Sequence, residues 1–322
     1  MSDLIGNTPL LALPLKSTCA RVLLKMESFN PTGTAKIRMA KQMIDDAEAR
    51  GQLKPGGKIV ESTSGNTGLG LAMIAAERGY EFTAVVDQHA SKDKLYAMQA
   101  MGAKLHYVGE HDGLATADRD ATAERIAREC GAYWTEQHNN PANANAYTQL
   151  ANELYDSLGN KIDYLIGAVG TGGSLCGTAR ALKSYLPQLQ VVGVEPLGSI
   201  IFGEDEQHDY YQSGTGTPRG AEIGELIDYQ LIDIAKKVSD KQAFETARYL
   251  AKHHGIFVGG SAGGVIYQAL QLAQTLPENE TMVVLVCDGG EKYIHTIFND
   301  VWMKDKNLLD SSITRKLTQL LD

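Results

Sequence analysis

A lysine, Lys36, stands at the front of a helix-like run in "FNPTGTAKIRMA" (residues 29–40). The N-terminal end of a helix dipole repels positive charge, so a partly buried amine placed there is pushed toward its neutral, nucleophilic form. Three glycine-bearing turns recur along the chain: "TSGNTG" (63–68), "GTGGS" (170–174) and "GGSAGG" (259–264). In the second, Gly170, Thr171, Gly172, Gly173 and Ser174 offer converging backbone N–H groups and two hydroxyls ahead of a helix expected near Leu175. That is a nest suited to a phosphate. In the first, the hydroxyls of Thr63, Ser64 and Thr67, the amide of Asn66 and close backbone approach at Gly65 and Gly68 make a donor cradle of carboxylate size. Ser261 is the polar side chain of the third turn, a neutral hydrogen-bond partner for a ring nitrogen. Taken singly, each turn also reads as ordinary helix capping or tight packing.

Together these features ask for one ligand that carries a phosphate and a ring and has a reason to sit beside Lys36. Pyridoxal 5'-phosphate meets all three, because its aldehyde forms a Schiff base with a lysine and its ring serves as an electron sink. The 170–174 segment is neither a GxGxxG dinucleotide turn nor a lysine-bearing phosphate loop.

The elements that must hold these turns alternate along the chain. "RVLLKME" (21–27) reads as a strand and "AKIRMAKQMIDDAEARGQL" as the helix after it. "GKIVEST" (57–63) precedes "GLGLAMIAAERG", "EFTAVVD" (81–87) precedes "SKDKLYAMQAMGA", and "DYLIGAVG" (163–170) precedes "SLCGTARALKSYLP". Strands without clean alternation, interleaved with helices, predict an α/β fold with mostly parallel sheet covered on both faces. Open parallel sheets bind ligands at the carboxyl ends of their strands, where all three turns fall.

The 322 residues suit two domains or one large α/β unit, and 43% hydrophobic with 21% charged residues is an ordinary globular composition. A net charge of −9 argues against nucleic acid as a partner. The start, "MSDLIGNTPLLAL", lacks the basic and apolar regions of a targeting segment, and the longest apolar runs are of strand length. Cys19, Cys130, Cys176 and Cys287 show no CxxC spacing and read as reduced core thiols of a cytoplasmic protein, with no metal site. Glu110, His111 and Asp112 read as a solvated loop, and "KLTQLL" (316–321) as an amphipathic tail helix that packs.

From "IGNTPLL" (5–11) through "NPTGTAKIR", "STSGNTGLGLA", "NNPANANAY" (139–147), "GTGGS", "GVEP" (193–196), "GGSAGG" and "DGGEKY" (288–293), the chain resembles the fold type II pyridoxal-phosphate enzymes of the cysteine synthase and cystathionine β-synthase group. The resemblance implies two domains, each a mostly parallel sheet flanked by helices. Residues 40–145 would form a smaller, mobile domain that grips the substrate carboxylate. Residues 1–39 and 146–322 would form the larger cofactor domain. It implies that Lys36 carries the Schiff base, that Asn66 meets the ring hydroxyl, that residues 170–174 hold the phosphate and that Ser261 faces the pyridine nitrogen. Thr63, Ser64, Gly65, Thr67 and Gln137 would take the substrate's α-carboxylate. The partners implied are small amino-acid substrates and a second copy of the chain, as a homodimer.

The implied reaction is β-replacement on an O-activated L-serine through an aminoacrylate, with sulfide or a thiol as nucleophile. Two alternatives share the same machinery: an amine nucleophile, as in diaminopropionate or siderophore-precursor synthesis, and net β-elimination of serine or cysteine. Three departures bear on the leaving group and the nucleophile. Ile37 replaces the usual aspartate after the lysine, Tyr147 replaces a common histidine, and "GTG" (214–216) replaces the usual "GIG".

Overall fold

The computed structural model of the chain describes all residues except 17–18, 64, 88–90, 109–114, 204–208 and 322. Apolar runs that lack alternation become strands buried on both faces. All six residues of "TMVVLV" (Thr281–Val286) are buried, as the parallel reading requires. Numbered along the chain, the strands are β1 (Leu10–Ala12), β2 (Arg21–Met26), β3 (Lys58–Ser62), β4 (Glu81–Val86), β5 (Lys104–Tyr107), β6 (Tyr133–Trp134), β7 (Tyr164–Ala168), β8 (Gln190–Pro196), β9 (Ile234–Val238) and β10 (Thr281–Val286). Among the described residues they form two sheets, a six-stranded one in the order β1-β2-β10-β7-β8-β9 and a four-stranded one in the order β5-β4-β3-β6. Only β1 runs antiparallel to its neighbour. The α/β expectation with mostly parallel sheets therefore holds.

Helices cover both sheets. In order they are α1 (Lys36–Ala49), α2 (Asn66–Arg78), α3 (Lys92–Ala100), α4 (Ala115–Cys130), α5 (Pro141–Asn145), α6 (Thr148–Leu158), α7 (Gly173–Tyr185), α8 (Asp240–His254), α9 (Gly260–Ala273), α10 (Asp300–Asp305) and α11 (Ser311–Leu321). Helix α11 is the expected tail helix, and it buries Ile313, Leu317 and Leu321 in the core around α8 and α9. Among the described residues no helix is long and apolar enough to cross a membrane.

Helix α1 is held by charge as well as by packing. Arg38, buried at its first turn, pairs with Glu27 at 2.7 Å and with Glu153 of α6 at 2.8 Å. Lys25 of β2 also reaches Glu153, at 2.8 Å. Thr8 and Asn30 donate to the remaining Glu27 positions at 2.6 and 2.9 Å. Burial works against the Glu153 carboxylate, but Arg38 and Lys25 outweigh it and hold the group down at about 2. Such a buried network fixes geometry more than it adds stability. Here the geometry fixed is the start of α1, two residues from Lys36.

Of the four cysteines only Cys176 is buried. Cys130 is exposed at the end of α4, so the expectation of four core thiols fails there. All four are free.

Candidate active site

One cavity of about 220 Å³ gathers residues from both sheets. It is lined by Lys36, by Thr63, Gly65, Asn66 and Thr67, by Gln137, by Gly170, Thr171, Gly172 and Ser174, and by Ser261. The sequence spreads these positions over more than two hundred residues. Parallel topology brings most of them to one place, because β3, β6, β7 and β10 all end here. The 259–264 turn departs from the expectation, since it follows α8, and Val258 ahead of it makes only an isolated bridge to Gly289. Ser64 lies outside the described residues, as do Glu110, His111 and Asp112.

Lys36 is the first residue of α1 and is half-buried with its side chain on the cavity wall. Burial lowers its pKa below the ordinary lysine value, and Cys287 opposes the shift. The segment before it is pinned twice. The Ala35 N–H donates to the Cys287 carbonyl at 2.8 Å, and the buried Tyr147 hydroxyl donates to the Ala35 carbonyl at 3.3 Å. Tyr147 thus orients the lysine's neighbour. Ile37 is fully buried in the core beneath α1 and does not line the cavity.

The 170–174 turn is tighter than expected. Helix α7 begins at Gly173, not near Leu175, so Gly173 and Ser174 already lie in its first turn. The Gly173 N–H donates to Thr171 Oγ1 at 3.4 Å, and the other N–H groups of the first turn, which the helix itself does not bond, are available to an anion. Gly172 caps the helix at φ 85°, the left-handed region, and a Cβ there would stand 2.7 Å from Ile227. A Cβ on Gly173 would collide with the carboxamide of Asn143. Both glycines are required by their neighbours as well as by the turn.

The described residues of the 63–68 turn are tied to one another. Thr63 Oγ1 accepts the N–H groups of Gly65 and Gly68 at 3.3 and 3.1 Å. Thr67 Oγ1 donates to Gln137 Oε1 at 2.7 Å, while Gln137 Nε2 donates to the Ser62 carbonyl at 3.1 Å. Asn66 does not cap α2; Gly65 is the cap residue, and the Asn66 amide donates to Asp288 at 2.9 Å. Ser261 likewise makes no cap hydrogen bond in α9, whose cap is Gly259, and it is 6% exposed with its surface on the cavity. Neither side chain is spent on the ordinary capping role.

Four further residues belong to the site. Asn143 of α5 is fully buried and donates to the Gln137 carbonyl at 2.7 Å and to Thr171 Oγ1 at 3.1 Å, joining the carboxylate-sized cradle to the anion nest. His138 lines the cavity with its pKa lowered by burial, and is therefore neutral near pH 7. Cys287 faces Lys36 with its thiol pushed up to about 12 by burial and by Asp288. Asp288 is 1% exposed and also lines the cavity. Asn143 and Asp288 lie in the motifs "NNPANANAY" and "DGGEKY", and His138 and Cys287 each stand one residue ahead of them, but no spacing tells which member turns inward.

The arrangement can seat an anion on the N-terminus of α7, a second anion on the 63–68 turn, and a carbonyl against a lysine of lowered proton affinity between them. Residues 1–288 match the family described as pyridoxal-phosphate dependent enzymes. A Sinorhizobium fredii protein, provisionally named a cysteine synthase, is 46% identical over 98% of this chain and 95% of its own length. The crystal structure of an O-ureido-L-serine synthase superposes with a TM-score of 0.88 at 34% identity, covering 93% of this chain and 95% of that one. A hydrogen sulfide-producing enzyme from Fusobacterium nucleatum superposes with a TM-score of 0.85 at 33% identity, over 91% of this chain and 98% of that one. Fold, cavity and comparisons agree that the chain belongs to the pyridoxal-phosphate dependent enzymes, within the group that contains cysteine synthases and related β-replacement enzymes.

Proposed function

We propose that the chain replaces the β-substituent of an O-activated L-serine, O-acetylserine or O-phosphoserine, by sulfide or a thiol. The observation that carries this reading is the placement of Lys36 between an anion nest at 170–174 and a carboxylate-sized cradle at 63–68 in one cavity. Pyridoxal phosphate fits these residues. Its phosphate matches the free N–H groups of α7, and its ring hydroxyl supplies a donor for Asn66 Oδ1, which is buried with no protein partner. Ser261 then stands free for the ring nitrogen. When bound, the cofactor supplies an electron sink for charge developed at the substrate's α-carbon.

The chain's own groups do the rest. The 63–68 turn with Gln137 orients the substrate carboxylate, which fixes which α-bond faces Lys36. Lys36 Nζ, lowered in proton affinity by burial, takes the α-proton and can return it. Approach of residues 40–145 toward the larger part would exclude water and protect the unsaturated product of β-departure from hydrolysis. The homodimer implied by the resemblance belongs to this proposal, and sedimentation equilibrium checks it.

A second reading keeps the donor and makes the nucleophile an amine. Neutral His138 on the cavity wall favours it, because an amine arrives as an ammonium ion and must lose a proton before it attacks. One experiment separates the readings. Purified enzyme is given O-acetylserine or O-phosphoserine with sulfide, thiols or amines, and products are weighed by mass spectrometry. A sulfur-substituted alanine is expected, and a diamino product would select the second reading. Pyruvate as the main product under every condition would overturn both.

A further inference from the structure

We propose that Asp288 is a positioning residue of the cofactor site: its carboxylate sets which edge of the Asn66 amide faces the ring and places a fixed negative charge at that wall. The inference rests on the reading of Asn66 as the contact to the ring hydroxyl.

Asp288 Oδ2 accepts from Asn66 Nδ2 at 2.9 Å and from the Tyr293 hydroxyl at 2.6 Å. An ionised carboxylate only accepts, so the amide cannot turn its oxygen toward Asp288 without placing two acceptors face to face. Asn66 Oδ1 is thereby committed elsewhere, and it is buried with no protein partner. Asp288 Oδ1 is buried with no protein partner as well. Two unfilled acceptors on side chains joined by a hydrogen bond, both on the wall of one cavity, are rare in a folded interior unless a ligand brings a donor. The ring hydroxyl is such a donor. A carboxylate beside it also disfavours loss of its proton, since like charges would then meet in a desolvated space.

The carboxylate is itself fixed from several sides. Its residue follows β10, and its backbone pairs with Thr34, two residues before Lys36. Tyr293 lies on the same chain segment, and its ring carries the Lys94 ammonium 5.0 Å from the centroid. The Lys94 ammonium of α3 and the Cys287 thiol are titratable groups on which its charge acts, raising the pKa of both. Asn66 and Lys94 flank the four-stranded sheet while Asp288 and Tyr293 follow the six-stranded one. The contact therefore ties the Lys36 segment and Asn66 together across the cavity.

The test is a double-mutant cycle on the full-length, cofactor-loaded protein, with Asp288→Asn, Asn66→Ala and both together. Two readouts besides activity are taken: visible circular dichroism per bound cofactor, and the rate of cofactor loss on dilution. Asp288→Asn is expected to diminish the dichroism and speed loss by about tenfold when Asn66 is present, and by under about twofold when it is absent. Additive effects, or no effect of Asp288→Asn alone, would overturn the role given to Asp288. If Asn66→Ala changes neither readout, the underlying assignment of Asn66 falls and takes this one with it. Should Asp288→Asn fail to fold, Tyr293→Phe removes one of the two donors and keeps the charge. It is then expected to act in the same direction by a few-fold, again only with Asn66 present, and an equal effect without Asn66 would overturn the proposal.

Discussion

The hydroxyl of Thr67 donates to the side-chain oxygen of Gln137 at 2.7 Å, so the first turn of α2 and the segment after β6 hold a common orientation. Gln137 completes the link by donating to the Ser62 carbonyl. Thr63 Oγ1 already holds the Gly65 and Gly68 N–H groups, so the turn is shaped before any ligand arrives, which avoids ordering the loop during binding.

Thr67→Val tests that pre-orientation. The side chain keeps its branching but leaves Gln137 Oε1 without its donor. The expected loss is about 1 kcal/mol of stability. On the proposed function, the KM for the amino-acid donor should rise by about tenfold with kcat changed far less, since a turn that held the carboxylate would do so in ground state and transition state alike. Steady-state kinetics on O-acetylserine and O-phosphoserine check this.

Gly173→Ala should disturb the anion nest from behind. The added methyl meets the buried carboxamide of Asn143, which already holds Thr171 and Gln137. Overpacking of this kind costs about 1–3 kcal/mol. Thermal unfolding should show that loss, and cofactor retention should fall with it. Adding Asn143→Ala should recover part of the stability, because it removes the obstructing group.

Much of this was legible before any fold was known, and the reasons are local. Glycines at 170, 172 and 173 and the lysine at 36 announce themselves because few other residue types can do what those positions do. The parallel sheets follow from unalternated apolar runs such as Thr281–Val286. Asn143, His138, Cys287 and Asp288 were not legible as site residues, because the packing of Asn143 behind Gly173 depends on how α5 meets α7, and the other three reach the cavity wall only through the tertiary fold. The start of α7 was misplaced by two residues for a related reason. A glycine pair looks like loop until Asn143 is packed against it.

Arg38→Met should be among the most damaging changes outside the cavity. It would leave Glu27, fully buried, and Glu153 without their shared cation. Removing one partner of a buried pair typically costs about 3–5 kcal/mol. Since Arg38 sits in the first turn of the helix that Lys36 begins, the variant should also hold less cofactor than wild type when compared below both melting temperatures. Equal occupancy in the two proteins would separate the network from the site.

Glu61 gives the chain a pH-dependent stability of predictable sign. It lies on β3 behind the carboxylate-sized cradle, 2% exposed, and accepts from the Thr135 hydroxyl and from the Gln137 N–H at 3.2 Å. Burial pushes its carboxyl up to about 8, with the hydrogen bonds from Thr135 and Gln137 opposing the shift. Between its unfolded value near 4.5 and about 8, the folded chain therefore holds a proton that the unfolded chain has lost. Stability falls as pH rises across that window, by at most about 1.4 kcal/mol per pH unit from this group, and levels off above it. His138, whose pKa is lowered by burial, contributes the opposite slope below its unfolded value, so the whole-protein profile mixes the two. Glu61→Gln isolates one of them. Chemical unfolding of both proteins from pH 5 to 9 should show the difference in stability shifting steadily in favour of the variant until about pH 8 and then staying constant. A difference independent of pH would mean that Glu61 is already ionised in the folded protein.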